Sequence, residues 1–126
     1  DNWHFNHFYD PQTTSAGSIM PSYKWLIFNE HDRSNIQTKM ETMVSLGVPY
    51  SEEEIDLAFE LMDEQATLIE QNLYNDPDFV TAYEADKASS EENGDEFVEM
   101  RDREVVAIIA YLQRLGTDIR VQTSNE

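Results

Sequence analysis

The chain contains no cysteine, and this absence leaves the redox compartment of the protein undetermined. It also has no apolar run that approaches the roughly 18 residues a membrane-spanning helix needs. Its first four residues, Asp-Asn-Trp-His, match neither the basic nor the apolar region of a signal peptide. These absences predict a soluble chain with no membrane span, and the start on aromatic residues indicates a piece of a longer protein.

Basic side chains are scarce, with 8 Lys and Arg against 26 Asp and Glu, which gives a formal net charge of −18. Such a chain would repel a phosphate backbone, because nucleic-acid binding relies on basic side chains that displace counterions. Nucleic acid is therefore excluded as a partner. An acidic surface can steer a basic protein toward it, but a solvated face is the more common role of such charge.

The length of 126 residues predicts a single domain, residues 1–126, with a modest core. No strand pattern is present, so the fold class is predicted as mainly α. Residues 1–33 are predicted as an irregular, aromatic-rich loop region, because Asp10-Pro11 signals a turn and Pro21 blocks a helix.

Four amphipathic segments follow this region. Helices are predicted over residues 34–47, 51–75, 77–87 and 100–115, with a mobile acidic connector over residues 88–99. Ser34 with Gln37 and Ser51 with Glu54 form possible capping boxes at the starts of the first two helices. Gly116 is expected to end the last helix.

Met20 lies in a polar loop beside Pro21, and a lone thioether in this setting is typical of an axial haem ligand. Pro21 fixes the backbone after the ligand, and Gly17 lets the loop bend. The sequence lacks the Cys-x-x-Cys-His segment that would bond a haem covalently and supply the opposite histidine. Met20 is therefore a candidate ligand without its partner.

Half of the aromatic side chains lie within residues 1–33, far more than an exposed loop carries without cost. These are Trp3, Phe5, Phe8, Tyr9, Tyr23, Trp25 and Phe28. Two interpretations remain open. The aromatic side chains pack either on the helices that follow or on a flat apolar macrocycle.

Four segments in a fixed order carry a family resemblance. They are residues 7–11 (HFYDP), 17–23 (GSIMPSY) with Trp25 and Leu26 after them, 46–50 (LGVPY) and 104–117 (EVVAIIAYLQRLGT). Together they resemble the C-terminal part of the membrane-anchored monohaem cytochrome c subunit (subunit II) of cbb3-type cytochrome c oxidases. The resemblance covers nearly the whole chain.

The resemblance implies an incomplete cytochrome c-like domain in which Met20 is the axial ligand of the haem iron and Pro21, Tyr23 and Trp25 belong to the haem pocket. The family's attachment cysteines and axial histidine fall before Asp1. The parent protein would hold haem c on the periplasmic side of the bacterial inner membrane. It would relay electrons to the oxygen-reducing subunit, with that catalytic subunit and a dihaem cytochrome subunit as partners. The fragment alone is expected to bind no haem and to be inactive.

The last helix carries an apolar stripe, and the resemblance implies that the helix that normally crosses it is absent. The stripe consists of Val105, Ile108, Ile109, Leu112 and Leu115. Five such side chains at about 1.5–3 kcal/mol each are worth on the order of 10 kcal/mol, so they must be covered. We expect either self-association into a homo-oligomer or coverage by the helix over residues 51–75.

Two other functions fit parts of the sequence. One is an acidic, all-helical protein-interaction module that holds no haem. The other is a hydrolytic metal site built from His4, His7 and Asp10. No catalytic triad, phosphate-binding glycine loop or His-Glu-x-x-His segment is present, so enzymatic activity of the isolated chain is not predicted.

Overall fold

The computed structural model describes the backbone of residues 1–123 and the side chains of residues 1–115. The helices are α1 (Asn2–Tyr9), α2 (Pro11–Thr14), α3 (Trp25–Phe28), α4 (Ile36–Ser45), α5 (Glu52–Asp56), α6 (Ala58–Leu73), α7 (Pro77–Asn93) and α8 (Glu104–Thr123), with a short 3₁₀ helix over Met100–Asp102. Residues 1–123 contain no strand beyond an isolated antiparallel bridge between Glu30 and Arg103. The mainly α fold class is confirmed. None of the helices in this part combines the length and apolar character that crossing a membrane requires.

The prediction of an irregular region over residues 1–33 is wrong, because three helices form there. Phe5 and Phe8 are three residues apart on α1, and both pack against the core. The Asp10-Pro11 pair joins two helices. Asp10 accepts a hydrogen bond from the Gln12 N–H at 3.1 Å, and Pro11 occupies the first turn of α2.

The helix predicted over residues 51–75 is interrupted at Leu57, so it forms as α5 and α6. The Ser51 capping box is confirmed, since the Ser51 hydroxyl accepts from the Glu54 N–H and the Glu54 carboxylate accepts from the Ser51 N–H. Ser34 does not cap α4, which begins after Asn35 without a side-chain cap.

The prediction of an acidic connector over residues 88–99 is wrong for its first half, because α7 continues to Asn93. The alanine and glutamate residues of this segment have good helix propensity despite their polarity as a group. The helix ends at Gly94, whose φ of +73° is left-handed and favours glycine.

The last helix begins at Glu104, because Met100–Asp102 winds as a 3₁₀ turn. Its predicted end at Gly116 is wrong, as α8 continues to Thr123. A glycine inside a helix costs only about 1 kcal/mol relative to alanine, so it does not by itself terminate the helix.

The core forms where α6 and α8 pack together, with α1 and α3 also packed on α8. Ile69 and Leu73 of α6 meet Val105, Val106 and Ile109 of α8, and all five are almost fully buried. The expectation that the helix over residues 51–75 covers the stripe of the last helix is confirmed for Val105 and Ile109, which are buried in the core with α6. Ile108 and Leu112 are only half-buried.

The buried face of α8 is rotated relative to the predicted stripe. Val106 lies outside the predicted stripe but is only 1% exposed. Leu115 belongs to the predicted stripe but is 43% exposed. The face of α8 that packs inward is the one directed at α6.

Candidate functional site

Met20 lies in the segment that joins α2 to α3, and its side chain is half-buried. The segment turns at Gly17, whose φ of +78° lies in the region that favours glycine. The Met20 N–H donates to the Ser18 hydroxyl at 3.2 Å, whereas the preceding side chain, Ile19, is fully exposed. Met20 is therefore a half-buried residue in a turned loop at the surface.

Two hydrogen bonds fix the loop to α1 just after Met20. The Tyr23 N–H donates to the Phe8 carbonyl at 2.8 Å, and the Ser22 hydroxyl donates to the Tyr9 carbonyl at 2.5 Å. Because both bonds lie within three residues of Met20, the backbone that carries Met20 is anchored to α1.

The structure brings two of the predicted pocket residues together. The Tyr23 and Trp25 rings meet edge to face with centroids 5.0 Å apart, and Tyr23 also meets Phe8 at 6.5 Å. Trp25 is 52% exposed, and Pro21 is exposed. Tyr23 and Trp25 thus form an aromatic pair beside the Met20 loop, and Pro21 lies on the loop itself.

Of the two interpretations of the N-terminal aromatic side chains, packing on the helices is confirmed for a part of them, and packing on a macrocycle stays a prediction. Phe5 and Phe8 pack on the core, as the first interpretation predicts. Others remain open to solvent, and the exposed large apolar side chains of this region are Trp3, Tyr9, Ile19, Trp25 and Phe28. Ile19 directly precedes Met20 in the chain, and Trp25 begins α3 just after the Met20 segment.

Among the described residues, His4 and His7 do not belong to a cluster of potential metal ligands. No group of three or more potential metal ligands is found among the residues that the structure describes. The His7 ring is stacked on Trp3 at 4.6 Å between centroids, and its Nδ1 is 2.5 Å from the Thr14 hydroxyl. Burial, the N-terminal charge and His7 lower the pKa of His4. The proposed site of His4, His7 and Asp10 therefore gains no support.

Arg103 is 4% exposed at the start of α8, and the sequence did not predict that this basic side chain is buried. Its Nε donates to the Val98 carbonyl at 2.9 Å, and one Nη donates to the Ile27 carbonyl at 3.2 Å. The other Nη lies 3.0 Å from an Asp86 carboxylate oxygen. The sequence shows only that Arg103 precedes the apolar run of α8. This position does not indicate that the side chain is buried or which groups it binds.

A cleft of about 760 Å³ was also missed. It lies between α1 and α2 on one side and α7 on the other, and Arg103 forms part of its wall. Met20, Pro21, Tyr23 and Trp25 do not line it. The Met20 loop and the cleft are therefore separate from each other on the surface.

Comparison with known proteins gives one family match. The model of a family described as cytochrome c oxidase, mono-heme subunit/FixO matches residues 1–119. No curated protein and no solved structure gives a match. The match spans the Met20 loop, the cleft and most of α8.

Proposed function

The chain belongs to the FixO family of mono-heme cytochrome c oxidase subunits, and from this membership we propose that Met20 is an axial ligand of a haem iron that relays electrons in a cbb3-type oxidase. The observation that carries the proposal is the half-buried thioether in a loop tied to α1 by two hydrogen bonds. The family supplies the setting of electron transport within an oxidase.

The chemistry assigned to Met20 follows from its sulfur. When bound, the haem supplies a one-electron redox centre. A neutral thioether is a soft ligand that favours ferrous over ferric iron, so a methionine opposite a histidine raises the reduction potential relative to two nitrogen ligands. This suits a carrier that receives electrons from a donor and passes them to a terminal oxidase.

The neighbouring residues would hold the sulfur in place and exclude water. Pro21 restricts the backbone directly after the ligand. The Tyr23 N–H bond to the Phe8 carbonyl fixes the backbone of the loop on α1, which would limit the region that the thioether can reach. Tyr23 and Trp25 offer an aromatic edge that would shield part of the macrocycle and keep the potential high.

In this proposal, the 126 residues contain the methionine ligand of the haem iron. The sequence has no cysteine, so the covalent attachment of haem c is not among them. We place the parent protein on the periplasmic side of the bacterial inner membrane, with the oxygen-reducing subunit and a dihaem cytochrome subunit as partners. The alternative of an acidic interaction module without haem has no observation in its favour.

The test is a substitution of Met20 by alanine in the haem-loaded oxidase complex. We expect the weak far-red absorption band of thioether-ligated ferric haem to disappear, because the iron loses its sulfur ligand. Met43→Ala is the matched control, since Met43 is a half-exposed methionine on α4. Retention of the band in Met20→Ala, or its equal loss in Met43→Ala, would contradict the assignment.

A further inference from the structure

The cleft between α1, α2 and α7 has the size of a small-molecule site. Its volume of about 760 Å³ lies within the range of roughly 300–1,000 Å³ that is usual for ligand pockets. Because none of the proposed haem-pocket residues lines it, a role for this cleft is independent of the proposed function.

The floor of the cleft is apolar and largely aromatic. Phe79 meets Phe5 edge to face at 5.1 Å between centroids and stacks on Tyr83 at 5.7 Å. Ile27 and Met100 complete this floor and are nearly fully buried. Tyr9 and Phe28 stand at the rim and are 43% and 54% exposed. A bound group would therefore meet the margins of the buried floor rings and the exposed rings of Tyr9 and Phe28.

One wall of the cleft is acidic. Asp78, Ala82 and Asp86 line it at intervals of four residues, so they form a row along α7 with a small side chain in the middle. Asp76 stands at the start of the same helix and also lines the cleft. This places the carboxylates of α7 beside an apolar floor.

The negative charge of this wall is only partly compensated. Arg103 is the one basic side chain among the cleft residues, and its donors are taken by Asp86 and by two backbone carbonyls. The ion pairs described within residues 1–115 use Arg33 and Arg103, and neither Asp76 nor Asp78 takes part in them. Asp76 caps α7 and accepts the Asp78 N–H at 3.0 Å, but neither carboxylate has a partner in the described ion pairs, so both are available to a positive charge.

Aromatic rings and carboxylates without an ion-pair partner are two features that bind organic cations in proteins. Tyr9 already holds a positive charge, since the Lys24 ammonium lies 4.9 Å from the centre of its ring. On these grounds we infer that the cleft binds an organic cation, an ammonium group carried on an aromatic or alkyl body. The body would occupy the floor, and the ammonium would face Asp76 and Asp78.

The experiment is calorimetric titration of the 126-residue chain with phenethylammonium chloride. The neutral control ligand is 2-phenylethanol, which has the same ring and a similar length but no charge. We expect binding of the cation at millimolar or lower concentrations and at least several-fold weaker binding of the alcohol. Equal binding of the two ligands, or no binding of the cation at millimolar concentrations, would overturn the inference.

Two variants test the position of the site. Asp76→Asn with Asp78→Asn removes both charges, and asparagine keeps the helix cap at position 76. We expect binding to weaken by about tenfold, because the half-buried Asp76 and the exposed Asp78 both lose their charge. Glu91→Gln with Glu92→Gln makes the same change in net charge on the same helix outside the cleft. An equal loss in this control would show long-range charge and no site.

Ala82→Leu provides a second test that leaves all charges in place, because a larger side chain at position 82 fills the middle of the acidic row. We expect it to abolish binding of phenethylammonium, and unchanged binding would overturn the inference. A capped phenylalanine–lysine dipeptide carries the same two groups on a polypeptide. Tighter binding of the dipeptide would assign the site to a basic protein segment, and weaker binding would assign it to a free organic cation.

Discussion

Arg103 and Asp86 form an ion pair, with 3.0 Å between an Nη of the guanidinium and a carboxylate oxygen, that joins the start of α8 to the middle of α7. The same guanidinium lies over the Tyr83 and Phe97 rings, 5.4 and 5.2 Å from their centres. It also binds the Ile27 carbonyl in α3. Phe79 and Tyr83 of α7 belong to the apolar core, and Arg103 adds polar links from the start of α8 to α7 and α3 beside that core.

The first prediction concerns the loss of this side chain. Arg103→Met should lower the free energy of unfolding by about 3–5 kcal/mol, because it leaves Asp86 and two carbonyl groups without their donor. Arg101→Met is the control, since Arg101 is exposed, and it should change stability by no more than about 0.5 kcal/mol. Urea denaturation measures both, and equal values for the two variants would refute the role given to Arg103.

The second prediction compares two neighbouring residues of α6. Ile69 is 1% exposed in the core and Leu68 is 56% exposed. Ile69→Ala should lower the free energy of unfolding by about 2–5 kcal/mol, as expected when a large buried aliphatic side chain is removed. Leu68→Ala should cost less than about 1 kcal/mol. Thermal and urea denaturation of both variants would show whether α6 presents the described face to α8, and a larger loss for Leu68→Ala would mean that it does not.

The third prediction concerns pH. Burial is the main cause that raises the pKa of Glu70 above its ordinary value of 4.5, and the Glu99 and Asp102 charges add to it, whereas the Arg101 N–H and charge lower it. Since the folded state holds this proton more tightly than the unfolded state, ionisation of Glu70 lowers stability as the pH rises above 4.5 through the folded pKa.

Glu70→Gln removes this ionisation while keeping a carbonyl oxygen that can accept the Arg101 N–H. The variant should therefore gain stability over the unsubstituted chain at pH 7, and the gain should shrink as the pH falls below 4.5. Unfolding curves recorded across this range measure the difference. Glu91→Gln, an exposed position on α7, should show no such trend, and a gain for Glu70→Gln that does not vary with pH would contradict the assignment.

The sequence predicted the helical class and most of the long helices because their apolar spacing and caps are local signals. Ser51 with Glu54 was read correctly from four adjacent residues. The short helix α1 was missed because its eight residues carry a weak pattern, and its stability depends on Phe5 and Phe8 packing on a distant core. The helical end at Gly116 was misjudged because a local signal was outweighed by the rest of α8.

The two surface features differ in how far the sequence revealed them. The Met20 loop is contained in one short segment, so its residues could be named together. The cleft depends on α1 and α7, which are about 70 residues apart in the chain, and on Arg103, whose partners come from three separate segments. Contacts at such separations arise from tertiary packing, and no local pattern of a single sequence indicates them.

The most direct test of haem ligation by Met20 is to measure the reduction potential of the haem-loaded oxidase subunit that carries Met20→His. If the Met20 sulfur is an iron ligand, replacing it by a nitrogen should lower the potential by on the order of 0.1 V or more, within the range of about 0.8 V that axial ligands cover. Met43→His should leave the potential unchanged. If the reduction potential is the same in Met20→His and in the unsubstituted subunit, the Met20 sulfur is not a ligand of the iron.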